Sequence, residues 1–239
     1  MSGLEKKQII YVLGGPGSGK GTQTSWIAEK YGLGYLSTGD ILRSATAEGK
    51  EKVEDLQKIA PEGQDPLEFA ETLRNKMKSG DLVDDDIVIS LVKSSIESSD
   101  KEYFLVDGFP RNLDQARNFD STIKECTAVL YLTVSDEILV ERLLNRGKTS
   151  GRADDNAESI KNRIANFHKI TQPVIDYYEP LNKVIEVDAS PSINTVRAHI
   201  LAELRKYWDL PKQDDEPVAD ELEEKALQAK KNSKCCLLL

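Results

Sequence analysis

The strongest constraint on this chain is a short apolar run, Ile9–Leu13, that leads without a break into Gly14-Gly15-Pro16-Gly17-Ser18-Gly19-Lys20-Gly21-Thr22. The run is short and rich in β-branched residues, which reads as a buried strand. A helical pattern opens at Lys20. A glycine-rich turn between a buried strand and a helix lets backbone N–H groups converge on a phosphate, and the positive end of the helix reinforces them. Lys20 is placed to reach the β- and γ-phosphates of a nucleotide. The strict pattern puts Ser or Thr directly after the lysine. Here Gly21 intervenes and Thr22 follows, which weakens the usual hydroxyl contact to Mg²⁺. A turn that merely joined strand to helix would need no lysine at this position, so the loop reads as a phosphate cradle.

The rest of the chain repeats that alternation. Tyr103–Val106, Val129–Val134 and Val184–Val187 read as further buried strands, with Tyr35–Leu36 as a weaker one. Helical patterns lie between them at about 20–31, 84–98, 112–124, 136–146, 156–179 and 192–207. Strands alternating with helices predict an α/β protein whose parallel five-stranded sheet is covered on both faces. Residues 44–79 break the rhythm, with only helical and loop signals and with Pro61 and Pro66 as breaks.

Charge and cysteine use narrow the function. The net charge of −9 argues against indiscriminate binding to nucleic acid, while local cation clusters can still hold small phosphorylated ligands. The three cysteines, Cys126, Cys235 and Cys236, form neither a disulfide framework nor a zinc spacing, which suits a reducing, cytoplasmic setting. The N-terminus lacks a secretory apolar core, and no stretch reaches the roughly 20 apolar residues of a membrane span.

Six arginines sit at pointed places. Arg43 follows Leu36-Ser37-Thr38-Gly39-Asp40, and Arg111 closes Asp107-Gly108-Phe109-Pro110-Arg111 just after a strand. Arg142 and Arg146 are four apart and share a helix face. Arg152 stands in a short polar loop and Arg163 on the helix after it. Residues near the carboxyl ends of parallel strands converge on one crevice, where guanidinium forks grip phosphate oxygens bidentately. In phosphoryl transfer such positioned cations can supply most of the catalysis. An acceptor that is itself a phosphate needs no strong general base, and neither His168 nor His199 sits near a motif.

These motifs resemble those of the adenylate kinases and related short nucleoside monophosphate kinases. The resemblance covers about residues 8–205. It rests on Gly14–Thr22, Leu36–Arg43, Gly80-Asp81-Leu82-Val83, Asp107–Arg111 with Gln115, and Gly151-Arg152-Ala153-Asp154-Asp155-Asn156. It implies a three-layer fold like that of the P-loop nucleoside triphosphate hydrolases, with a core of residues 1–37, 80–146 and 153–208. Residues 38–79 would form an NMP-binding excursion, 147–152 a short lid, and 209–239 a tail. It implies ATP phosphates on Gly15–Thr22 (Gly15, Pro16, Gly17, Ser18, Gly19, Lys20, Gly21, Thr22), with Arg142 stacking on the ATP adenine. Arg43 and Arg111 would hold the acceptor phosphate beside Val83 and Gly108. Arg146, Arg152 and Arg163 would close over the transferring group, and Asp107 would orient hydrated Mg²⁺. A monomer acting on ATP and AMP is the form the resemblance predicts.

Acceptor choice rests on fewer residues. Adenylate kinases are similar at Thr38, whose hydroxyl would face the base, and at Gln115, whose amide can pair with adenine. Kinases of UMP and CMP usually carry alanine and asparagine there. Asp107–Asn112 and Val174–Tyr178 have a pyrimidine-kinase flavour, and a silent nucleotide-binding scaffold is a third alternative. The stretch between Arg43 and Gly80 is longer than the family's usual segment, either altering closure or lying on the surface as a tolerated insertion. The chain ends Cys235-Cys236-Leu237-Leu238-Leu239, which fits prenylation at Cys236; Cys235 could take a palmitoyl group, giving peripheral membrane association on the cytoplasmic face.

Overall fold

The computed structural model describes residues 4–49, 51–60, 63–152 and 154–212. Its five strands are β1 (Gln8–Gly14), β2 (Gly34–Ser37), β3 (Tyr103–Asp107), β4 (Ala128–Thr133) and β5 (Val184–Asp188). All pair in parallel, in the order β2-β3-β1-β4-β5. The central strand β1 shows why the apolar runs are nearly continuous. Ile9, Tyr11 and Leu13 enter the core on one face, and Ile10 and Val12 enter that on the other.

The helices are α1 (Lys20–Tyr31), α2 (Thr38–Ala45), α3 (Val53–Ile59), α4 (Pro66–Ser79), α5 (Asp85–Glu97), α6 (Leu113–Thr122), α7 (Asp136–Gly147), α8 (Ala157–Asn166), α9 (Gln172–Tyr178) and α10 (Ile193–Leu204). One layer, with α1 and α10, buries Ile27, Val196 and Leu204. The other takes α5, α6 and α9 through Val92, Phe119 and Tyr178.

The stretch 44–79 is not a loop laid on the surface. Leu56 of α3 and Phe69, Ala70 and Leu73 of α4 join Leu42 and Val88 in the same buried cluster. Pro66 opens α4 rather than breaking a helix. It occupies the first turn, where its missing N–H is no loss, and Asp65 caps Leu67 and Glu68. The long helix expected at 156–179 is interrupted by a π turn, Phe167–Thr171, before α9. Pro173 lacks the N–H that would bond to Lys169, and the ladder widens just ahead of it. Pro61 and the residues beyond Lys212, including Cys235 and Cys236, lie outside the described residues. No helix among the described residues is long and apolar enough to cross a membrane.

Candidate active site

All five strands end their carboxyl termini on one side, and a cleft of about 790 Å³ opens there. That volume lies within the range of small-molecule sites, roughly 300–1,000 Å³.

Its floor is the loop after β1. Gly14 must be glycine because a Cβ would stand 2.6 Å from the Leu132 carbonyl oxygen, at φ +145°. Gly19, at φ +90°, turns the chain into α1, whose first amides have no side-chain cap. Pro16, Gly17, Ser18, Gly19, Gly21 and Thr22 line the cleft. Gly15 lies beneath them, packed so closely under Leu139 that a Cβ would come within 2.4 Å of its Cδ1. Lys20 curls over the loop, its Nζ donating to the carbonyls of Gly14 at 2.7 Å and Gly15 at 2.9 Å. Loss of solvation, with Arg111, Arg163 and Arg146 near, lowers its pKa to about 8 even though Asp107 opposes the shift.

Every arginine singled out by the sequence, Arg43, Arg111, Arg142, Arg146, Arg152 and Arg163, lines this cleft. Each is held. Arg146 donates through Nε and Nη2 to the two oxygens of Asp155, both at 2.7 Å. Arg163 Nη1 reaches Asp154 Oδ2 at 2.8 Å and Asp155 Oδ1 at 3.1 Å. Arg152 meets Asp40 at 3.0 Å, and Arg43 meets the same oxygen at 2.6 Å. Arg142 spans the carbonyls of Ala189 and Ser190 at 3.0 and 3.3 Å, bracing the loop after β5. Arg111 donates through Nε to the Gly108 carbonyl at 3.0 Å, and burial followed by the Arg163 charge pushes its pKa down.

Asp107 ends β3 and accepts from Tyr35 Oη at 3.3 Å. Burial raises its pKa despite the nearby charges of Lys20 and Arg111. The Thr38 hydroxyl does not hang free towards a ligand: it is buried and donates to the Gly108 carbonyl at 3.2 Å. Gln115 is buried too, accepting from the Arg111 backbone N–H at 2.7 Å while its amide nitrogen donates to Asp85 at 2.8 Å. Thr38, Val83, Gly108 and Gln115 all line the cleft. His168 pairs on the surface with Asp136 at 2.9 Å and lies off the cleft.

The cations are legible in the sequence, and their counterions are not. Asp154 and Asp155 stood inside a quoted motif, and an acidic pair beside an arginine was the available signal. Asp85 gave none, because its partner lies 30 residues away. Gln23 was missed likewise. Its amide nitrogen donates to the Ile193 carbonyl at 2.9 Å and its oxygen accepts from Arg197 at 3.0 Å, joining α1 to α10.

A glycine loop after the first strand of a parallel sheet, with lysine and arginines converging above it, defines a P-loop nucleotide-binding protein. The chain belongs to the adenylate kinase family: the family model described as adenylate kinase matches residues 64–183. Adenylate kinase isoenzyme 1 of Caenorhabditis elegans is 42% identical over 202 residues, covering 83% of this chain and 88% of its own. Adenylate kinase 1 of Schistosoma mansoni is 39% identical, covering 85% and 96%. A UMP-CMP kinase of Lentinula edodes is 38% identical, covering 80% and 82%. The chain is thus a nucleoside monophosphate kinase, a phosphotransferase whose acceptor is itself a phosphate.

Proposed function

We propose that this kinase is an adenylate kinase that catalyses ATP + AMP ⇌ 2 ADP with Mg²⁺, as a monomer whose cleft is built within one chain. The observation that carries the acceptor choice is Gln115, a buried amide in the wall of the cleft four residues from Arg111. A buried hydrogen-bonding group discriminates strongly between bases, because the wrong base leaves it unpaired.

In this reading the amides of Gly15–Thr22 and the Lys20 ammonium bind the ATP phosphates, and Arg142 backs the adenine. Residues 38–79 clasp the acceptor, with Arg43 and Arg111 on its phosphate. Residues 147–152 act as a lid, bringing Arg152 over the transferring group beside Arg146 and Arg163. These cations stabilise charge on the equatorial oxygens while excluding water. The acceptor oxygen is already anionic, so no side chain need remove its proton. Among the described residues no group of three or more metal-ligating side chains occurs. Mg²⁺ keeps several waters and relies on substrate phosphates plus one or two carboxylates. Asp107 would hold it through water, and the ion would neutralise phosphate charge.

A coupled assay with ATP and each of AMP, UMP, CMP and GMP tests the assignment. AMP should be the preferred acceptor, and Lys20→Ala should lower kcat by at least about 10²-fold, as loss of a positioned cation does. Preference for UMP or CMP would favour the pyrimidine reading, which the 38% identity to a UMP-CMP kinase keeps in view. Full activity in Lys20→Ala would overturn the assignment of the loop.

The sequence also supports attachment to the cytoplasmic face of a membrane through prenylated Cys236 and acylated Cys235. Two lipids would make the anchor stable where one would not. An unmodified intact mass after expression in prenylating cells would remove this part of the proposal.

A further inference from the structure

The base-reading residue has a support behind it that no motif contains. Gln115 lines the nucleotide cleft, whereas Asp85 does not; it opens onto a separate hollow shared with Asp114 and Arg117. Asp85 Oδ1 accepts from Gln115 Nε2 at 2.8 Å and from Asn112 Nδ2 at 2.8 Å. On its other side Gln115 Oε1 accepts the Arg111 N–H at 2.7 Å.

An amide oxygen and nitrogen exchange places easily, so which end a glutamine presents is set by its partners. Here the partners are unambiguous. A backbone N–H can only donate and an ionised carboxylate can only accept. Turning the amide over would set two donors against each other at 2.7 Å and two acceptors at 2.8 Å. We propose that Asp85 is a positioning residue for base recognition, locking the Gln115 amide so that one N–H and the carbonyl oxygen meet the acceptor base in fixed order. The proposal rests on the adenylate kinase reading of the site. Adenine answers that order with an unprotonated ring nitrogen beside an amino group. A charge-assisted bond to Asp85 also polarises the amide and strengthens the donor left for the base.

A purely structural role is the competing reading, since Asp85 also holds Asn112, whose Oδ1 caps α6 through the Gln115 N–H at 2.8 Å. The test uses the full chain and compares wild type, Asp85→Ala, Asp85→Asn, Gln115→Ala and the double variant Asp85→Ala/Gln115→Ala. KM is measured for acceptor and for ATP. Asp85→Ala should raise the KM for AMP about tenfold, the worth of roughly one hydrogen bond, and narrow the preference for AMP over CMP and GMP. The KM for ATP should stay within about twofold. Asp85→Asn, which can turn its own oxygen to Gln115, should recover most of the loss. On the Gln115→Ala background, Asp85→Ala should add nothing.

An unchanged KM for AMP in Asp85→Ala, or the same fold-loss with and without Gln115, would overturn the proposal. Should Asp85→Ala fail to fold, Asp85→Leu keeps bulk without an acceptor and takes its place. If wild type prefers UMP or CMP, the adenylate kinase reading fails on its own, and the same cycle run with that acceptor still decides the coupling of Asp85 to Gln115.

Discussion

Replacing Asp155 by alanine removes four charge-assisted hydrogen bonds at once, one of them donated by Ser150 Oγ to Oδ2 at 3.3 Å. Its oxygens take Arg146 at 2.7 Å twice, and Oδ1 also takes Arg163 at 3.1 Å. The carboxylate is 0% exposed, whereas the Arg146 side chain is 33% exposed and that of Arg163 is 19%. Removing one partner of a buried ion pair typically costs about 3–5 kcal/mol, because the other charge is left uncompensated. Both arginines here are partly hydrated and Arg163 keeps Asp154 at 2.8 Å, so the lower end applies, about 3 kcal/mol. A protein of this size loses roughly 2–4 °C of Tm per kcal/mol, which gives a fall of about 6–12 °C. Activity should fall further, because Arg146 and Arg163 are the cations proposed for the transferring phosphoryl group, and losing one positioned donor costs about 10²–10³ in kcat.

Calorimetry and initial rates with ATP and AMP measure both effects, and a pH series adds a signature. Burial alone would raise the Asp155 pKa, but Arg146 and Arg163 bring it below the ordinary value. A carboxyl with a depressed folded pKa stabilises the fold above its unfolded pKa of about 3.9, and the contribution is lost as pH falls through the folded value. The Tm gap between wild type and variant should therefore shrink below about pH 4. A Tm within about 2 °C of wild type at neutral pH, or a gap unchanged by acid, would refute the reasoning.

Lys20 predicts a proton taken up with ATP. Its pKa of about 8 in the free protein should rise against a triphosphate, so calorimetric binding enthalpies near pH 8.5 should depend on the buffer's ionisation enthalpy, and Lys20→Met should abolish that dependence. Leu73→Ala should cost about 2–5 kcal/mol by urea unfolding, since Leu73 is buried in the shared core; a cost near zero would mean residues 44–79 lie loosely on the surface. Gly14→Ala would drive a Cβ to 2.6 Å from the Leu132 carbonyl and 2.9 Å from Ser18 Oγ. It should lose ATP binding together with at least about 1–3 kcal/mol of stability from strain, measured by titration and thermal melts.

The sheet was legible because buried parallel strands write themselves as short, continuous apolar runs. Ile9–Leu13 became Gln8–Gly14 and Tyr103–Val106 became Tyr103–Asp107, each only slightly longer. The misread points were those where one residue has two local meanings. Pro66 breaks a helix from inside but starts one from its first turn, and only the Asp65 cap decides. Pro173 left the helical period intact yet widened the ladder ahead of it. In the site, Lys20 and the arginines were legible because their charge and their place beside loops agree. Their restraints were not. Asp40 meets Arg152 across 112 residues and Asp85 meets Gln115 across 30, distances that only the folded sheet closes.

Those carboxylates explain how a chain of net charge −9 keeps an anion site. The cleft is lined by seven cationic side chains against four carboxylates, so its own field opposes that of the whole molecule. Burial and neighbouring arginines lower the pKa values of both Arg111 and Arg163, the mark of positive charge held without full compensation. Two kinds of counterion keep this tolerable. The Asp155 side chain is wholly buried and holds Arg146 from behind through both of its oxygens. Asp40 is 49% exposed and shares one oxygen between Arg43 and Arg152, both about a third exposed. On the proposed assignment, Asp40 is the carboxylate with which the acceptor phosphate competes for Arg43. Substrate then replaces a weak, hydrated ion pair at the rim, while the buried pair holds the arginines over the transferring group in place.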